Sequence, residues 1–166
     1  MAEKFEIEIS TKELFDRFFS PSTSSELCAK CPCFGVRWSC PPFEKKFEPL
    51  AYSRVKIFAR KVKADGEIRA ANAAARADFD NFMLAAEKGK PSSLAMFAGG
   101  CANCELDECP RVKNLPCPMP EKMRISPEAA GYDVSKIAKE LFGLDMDWGA
   151  AGAPQTLTLT AALFFD

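Results

Sequence analysis

The 166-residue chain contains no histidine. That absence removes Ser-His and Cys-His nucleophile pairs, His-ligated zinc and Rieske-type centres together. Proton transfer would have to rest on carboxylates, lysine or tyrosine, and no carboxylate pair stands out from ordinary surface composition. No apolar run reaches the roughly 18 residues of a membrane span. The opening MAEKFEIEIS lacks a basic segment followed by an apolar one, so no signal peptide is expected. A surplus of charge is missing too: the net charge is −1 and the pI about 5.7. That argues against a nucleic-acid binder, whose phosphate contacts need a basic surface. The expectation is one cysteine-rich domain over residues 1–166, soluble and cytoplasmic, with neither nucleic acid nor membrane as a partner.

What the chain does have is eight cysteines in two groups. The first is CAKCPCFGVRWSC, holding Cys28, Cys31, Cys33 and Cys40. The second is CANCELDECPRVKNLPC, holding Cys101, Cys104, Cys109 and Cys117. In a reducing cytosol clustered thiols more often bind metal or do redox work than form a disulfide framework. With 48% hydrophobic residues the chain can build a core without such staples.

Periodicity supplies the scaffold. Phe5, Ile7 and Ile9 alternate with glutamates as in a half-buried strand. Ser10 and Glu13 fit a capping box, opening a short helix that buries Leu14, Phe15, Phe18 and Phe19. Pro21 and a Ser/Thr run are expected to end it, with the first cysteine group following as a loop. SRVKIFARKVK, residues 53–63, reads as a second strand with Val55, Ile57 and Ala59 on one face. Asp65 is placed to cap an Ala-rich helix over residues 66–88. Its stripe is Ile68, Ala75, Phe79, Phe82, Met83 and Ala86, and Gly89 is its stop. Residues 93–98 suggest a third strand running into Gly99-Gly100-Cys101. Asp133 caps a helix burying Val134, Ile137, Leu141 and Phe142, and TLTLTAALFF ends the chain in a strand. The fold class is α+β. It has a small sheet of about four strands, helices packed mainly on one face, and the two cysteine loops together at one end.

Two residues between thiols let both sulfurs turn to one ion. Each loop carries four thiols, enough for one all-cysteine centre. Sulfur-only sites select zinc, Cu(I) or iron–sulfur clusters. Cys40-Pro41, Cys109-Pro110 and Cys117-Pro118 repeat the Cys-Pro pairing of ferredoxin loops, whereas a zinc ribbon wants two CxxC knuckles roughly 15–20 residues apart. A single zinc drawn from Cys28, Cys31, Cys101 and Cys104 stays open as an alternative. The one-residue gap from Cys31 to Cys33 strains co-ligation, so Cys33 is either a ligand or a spare thiol. Trp38 reads as core or as a lid over the metal site. Arg37, Lys30 and Lys122 either offset its negative charge or are simply solvated.

These residues resemble a family of bacterial and archaeal predicted metal-binding proteins of unknown function. The blocks are Cys28 and Cys31, Phe34-Gly35, Trp38-Ser39-Cys40-Pro41-Pro42, and Gly99-Gly100-Cys101-Ala102-Asn103-Cys104. Pro116-Cys117-Pro118-Met119-Pro120-Glu121 and Ser126-Pro127-Glu128-Ala129-Ala130-Gly131-Tyr132-Asp133-Val134 complete them. The match runs from about residue 28 to 145. Cys33 is outside the pattern, the gap from Cys104 to Cys109 is longer than usual, and Pro118 stands where a basic residue is expected. The resemblance implies a metal or iron–sulfur protein and no particular reaction.

The expected function is a cytoplasmic iron–sulfur protein with one or two 4Fe–4S clusters, passing electrons to or from a redox partner protein. Glu105, Asp107 and Glu108 would set docking and lower the reduction potential. The alternative is a zinc-stabilised protein-binding module without redox activity. A third reading is an enzyme: were Cys28, Cys31 and Cys40 to hold a cluster without Cys33, one iron would be open to substrate.

Overall fold

The architecture comes from a computed structural model that describes residues 2–63, 68–104, 106, 108–146 and 156–166. Strand β1 (Glu3–Ser10) leads directly into helix α1 (Thr11–Phe18). Ser10 ends the strand and caps the helix, its Oγ accepting the Glu13 N–H at 3.0 Å, while the Glu13 carboxylate pairs with Arg17. Leu14 and Phe18 are buried, and Phe15 and Phe19 half-buried.

Pro21 opens a helix where the sequence suggested only a stop. Helix α2 (Pro21–Ala29) carries Cys28 in its last turn. Proline suits the first helical position because its missing N–H would be unpaired there anyway. The rest of the first cysteine segment is turns, with a cis peptide between Pro41 and Pro42.

Strand β2 (Arg54–Lys63), helix α3 (Ile68–Lys88) and strand β3 (Leu94–Met96) follow in the expected order. Asp65, expected as the cap of α3, and the side chain of Ile68 lie outside the described residues. Gly89 donates its N–H to the Ala85 carbonyl as the helix ends. Two short 3-10 turns, Pro110–Lys113 and Pro120–Lys122, break up the second cysteine segment. Helix α4 (Val134–Phe142) is capped by Asp133 through the Lys136 N–H at 3.0 Å and closed by Gly143 in the left-handed conformation.

Strand β4 (Thr156–Phe165) inserts between β2 and β3, giving the order β1-β2-β4-β3 with every neighbour antiparallel. As a central strand it is buried on both faces. Ala162 and Phe164 join Ile9, Leu14, Phe18, Ile57 and Ile137 on the side of α1 and α4. Leu159, Ala161, Leu163 and Phe165 join Phe79 and Met83 of α3 on the other. So two of the three helices packed on the sheet share one face, and the long α3 covers the opposite one. Phe82, placed in the buried stripe by periodicity, is 41% exposed and packs edge-on against Phe58 at 5.3 Å. The second cysteine segment leaves the sheet directly after edge strand β3.

Candidate metal centre

The two cysteine segments are bound to each other by hydrogen bonds between side chains of one and backbone of the other. Ser39 Oγ accepts the Cys101 N–H at 2.8 Å, and Arg37 Nη1 donates to the Cys101 carbonyl at 2.8 Å. Trp38 Nε1 donates to the Leu115 carbonyl at 2.9 Å. In return Arg111 Nη1 donates to the carbonyls of Arg37, at 2.6 Å, and of Cys40. Its Nη2 donates to the Pro42 carbonyl at 2.5 Å, and the guanidinium lies 5.3 Å from the Trp38 ring centre. Gly100 makes the closest approach: a Cβ there would sit 3.2 Å from Cys40 Sγ. Any larger residue there would require that sulfur to give way.

All eight cysteines are free thiols. They do not divide as the sequence does. Cys28, Cys31 and Cys40 line one cleft of about 220 Å³, whose other walls come from Phe34, Gly99, Gly100 and Glu128. Cys33 lines a second cleft of about 430 Å³ together with Cys101, Cys104, Cys109 and Cys117. Cys33 stands between the two groups: it lines the second cleft, yet its thiol meets that of Cys31 and lies near that of Cys40. The single-zinc arrangement from Cys28, Cys31, Cys101 and Cys104 is likewise divided between the clefts.

Among the described residues no three Cys, Asp or Glu side chains are already gathered about one point. The fit to a sulfur-ligated group rests instead on donor type and number: three thiols with the carboxylates of Glu128 and Asp133 in one cleft, five thiols with that of Glu108 in the other. Burial pushes the thiols of Cys28 and Cys40 up, with the Ser39 hydroxyl partly opposing the rise at Cys40. Burial also raises Cys33, against the pull of Arg37, and Cys101, against a hydrogen bond from the Asn103 backbone. These groups are protonated thiols at neutral pH, so a metal entering either cleft must displace protons.

Trp38 is half-buried and lines the second cleft. Of the three basic side chains considered for charge compensation, Arg37 reaches both segments. Lys30 and Lys122 are exposed. Glu105 and Asp107 lie outside the described residues, and Glu108 is exposed and faces Lys113 at 3.5 Å.

Sequence reasoning missed four residues here. Arg111 clamps the first segment, and Ser39 bridges the two. Arg76 of α3 reaches the Gly100 carbonyl and lies 3.9 Å from Asp80. Glu128 lines the first cleft with its Oε2 buried and without a hydrogen-bond partner. Burial raises the Glu128 carboxyl well above the usual range. Ser39, Arg111 and Glu128 fell inside segments that the sequence had singled out, and Arg76 did not.

A family model described as predicted metal-binding protein (DUF2284) matches residues 18–165. No curated protein and no solved structure matches the chain. No helix among the described residues is long and apolar enough to cross a membrane.

Proposed function

The chain belongs to the family of predicted metal-binding proteins, and we propose that it is an iron–sulfur protein with a 4Fe–4S centre in each cleft, passing electrons to or from a partner protein. The observation that carries this reading is the partition of eight free thiols between two adjoining clefts with no histidine in either. Sulfur-only donor sets of this density favour clusters. The clefts are divided by a thin wall: Ser39-Cys40 on one segment against Gly100-Cys101 on the other, with Cys40 Sγ 3.8 Å from the Ser39 hydroxyl that bonds Cys101. Two centres so placed are neighbours, as serial electron transfer requires.

When bound, such clusters supply one-electron redox chemistry. The chain's own residues do the rest. Cys28 on α2, Cys31 and Cys40 would hold the first centre. Cys33, Cys101, Cys104, Cys109 and Cys117 offer five thiols to the second. Arg37, Arg76 and Arg111 place positive charge beside the thiolates, and Trp38 keeps water from the second cleft.

A partner surface accompanies the mouths of the clefts. Leu27 and Phe34 border the first, Leu106 the second, and Val112 and Leu115 flank it on the same segment. All are between 41% and 59% exposed. Large apolar side chains gathered on a surface mark an interaction site, and this one suits a protein with an apolar docking face.

The test is an absorption spectrum of the protein purified without air, with iron, sulfide and zinc measured on the same sample. A broad visible band that dithionite bleaches, with iron and sulfide in equal amounts, supports the proposal. A colourless protein with stoichiometric zinc refutes it in favour of a zinc-stabilised binding module.

A further inference from the structure

The first cleft is lined by three thiols; Cys33 lines the other cleft, although its thiol also meets that of Cys31. Besides sulfur the first cleft has two carboxylates, of which Asp133 is occupied in capping α4 and Glu128 is not. Parts of the residue are open to solvent, but its Oε2 is covered and unpartnered. Leaving a buried carboxylate oxygen without a partner costs about 1–3 kcal/mol or more, so its persistence asks for a reason. A basic neighbour would be the ordinary one. Among the described residues Glu128 has no ion pair, and Arg76, the cation that lines a neighbouring cavity with it, is turned to the Gly100 carbonyl and to Asp80.

The backbone holds this carboxylate firmly. Residues 126–132 form successive turns, with Ala130 N–H on the Ser126 carbonyl at 3.0 Å, Gly131 N–H on Glu128 at 3.0 Å and Tyr132 N–H on Pro127 at 2.9 Å. Those turns are tied to the helix that carries Cys28. Ser20 N–H donates to the Gly131 carbonyl at 2.9 Å, and Ser24 Oγ donates to the Tyr132 carbonyl at 3.1 Å. Cys28 and Glu128 therefore sit on two braced elements that face one cavity.

We propose that Glu128 supplies the fourth ligand of the centre held by Cys28, Cys31 and Cys40. This rests on the reading of the first cleft as a metal centre. A carboxylate is a harder ligand than a thiolate and binds iron–sulfur or zinc sites less tightly. The metal position it holds is therefore the exchangeable one, and it opens on the apolar walls made by Leu27, Phe34 and Val134. The first centre is a site where a small ligand can displace the carboxylate, and the second is sealed by thiols.

The experiment uses the full chain loaded anaerobically with iron-57 and examined by Mössbauer spectroscopy, beside Glu128→Cys and Glu128→Gln. The expected wild-type spectrum contains one iron per chain with an oxygen ligand, distinct from the all-sulfur irons. Glu128→Cys converts that iron to the all-sulfur type with the iron content unchanged, and Glu128→Gln shifts it. A wild-type spectrum of all-sulfur irons alone overturns the proposal, as does an oxygen-ligated iron untouched by both substitutions. The wild-type spectrum needs no variant, so poor folding of either substitution leaves the test standing. Should the chain hold zinc and no iron, the iron–sulfur reading fails separately. Zinc-edge X-ray absorption then decides the ligand: an oxygen neighbour that disappears in Glu128→Cys supports it, and purely sulfur-bound zinc overturns it.

Discussion

Replacing Arg111 with methionine keeps most of the side-chain volume and removes the guanidinium that serves three carbonyls of the first cysteine segment, those of Arg37, Cys40 and Pro42. A hydrogen bond from a charged donor is worth about 1.5–3 kcal/mol. Two of the three share Nη1, and the Pro42 contact is exposed, so water recovers part of the loss. The net cost is about 3 kcal/mol, on the order of a hundredfold in an equilibrium constant. That cost falls on docking between the segments, because the guanidinium hydrogen bonds of Arg111 all go to the first segment. Amide hydrogen exchange of the metal-free protein should show residues 37–40 exchanging on the order of a hundredfold faster, with β2 and β4 unchanged. The metal-loaded protein should lose metal to a chelator faster by a similar factor. Arg111→Lys, with one donor centre instead of a fork, should fall between the two. Unchanged exchange at residues 37–40 in Arg111→Met would refute the clamp.

Two carboxylates on α3 pull stability in opposite directions with pH. Burial pushes Asp80 up from 3.8 to about 6, against Arg76. Its folded-state pKa is raised, so its contribution is complete below about pH 4 and is lost as pH rises through 6, a swing of about 3 kcal/mol. Asp80→Asn should therefore stabilise the metal-free protein at pH 7 relative to its effect at pH 4, as read from denaturant midpoints. Glu87 behaves the other way: burial opposes, but the Arg124 fork and the Ala95 N–H at 2.8 Å hold its carboxyl below the usual value. Its contribution is present above the unfolded value of about 4.5 and lost as pH falls. Glu87→Gln should cost about 2 kcal/mol at pH 7, because the pair is largely buried, and less at pH 3. For the clefts, Cys33→Ser should alter the same spectroscopic component as Cys117→Ser and leave that of Cys28→Ser intact. A Cys33→Ser effect confined to the Cys28 component would contradict the partition.

Much of the scaffold was legible because burial imposes a period. β1, β2 and β4 announced themselves through alternation, and α1 and α4 through Ser10 and Asp133 at their caps. Helix α2 was hidden because PSTSSELCA has no apolar stripe, and Pro21 reads equally as a stop or as a first residue. The two-sided burial of β4 was masked by its alternating threonines, of which Thr156 and Thr158 sit at its less covered end and Thr160 is buried. The candidate site was legible in its donor types and not in its grouping. Sequence places Cys33 beside Cys31, and their thiols do meet, but no spacing rule says that Cys33 also lines the cleft of the second segment. Glu128 stood in plain view within the block from Ser126 to Val134. Its interest comes from burial without a partner, which only coordinates can show. Arg111 acts on carbonyls 69 to 74 residues away in the chain, a relation that leaves no local trace.

The central claim is that the chain builds two separate sulfur-lined centres. Native mass spectrometry of the protein purified without air tests it most directly. The account predicts a holoprotein heavier than the bare chain by two 4Fe–4S clusters, and a mass heavier by one cluster after Cys28→Ser or after Cys101→Ser combined with Cys104→Ser, which leaves the second cleft three thiols. One metal centre per chain, lost equally to either substitution, would contradict it.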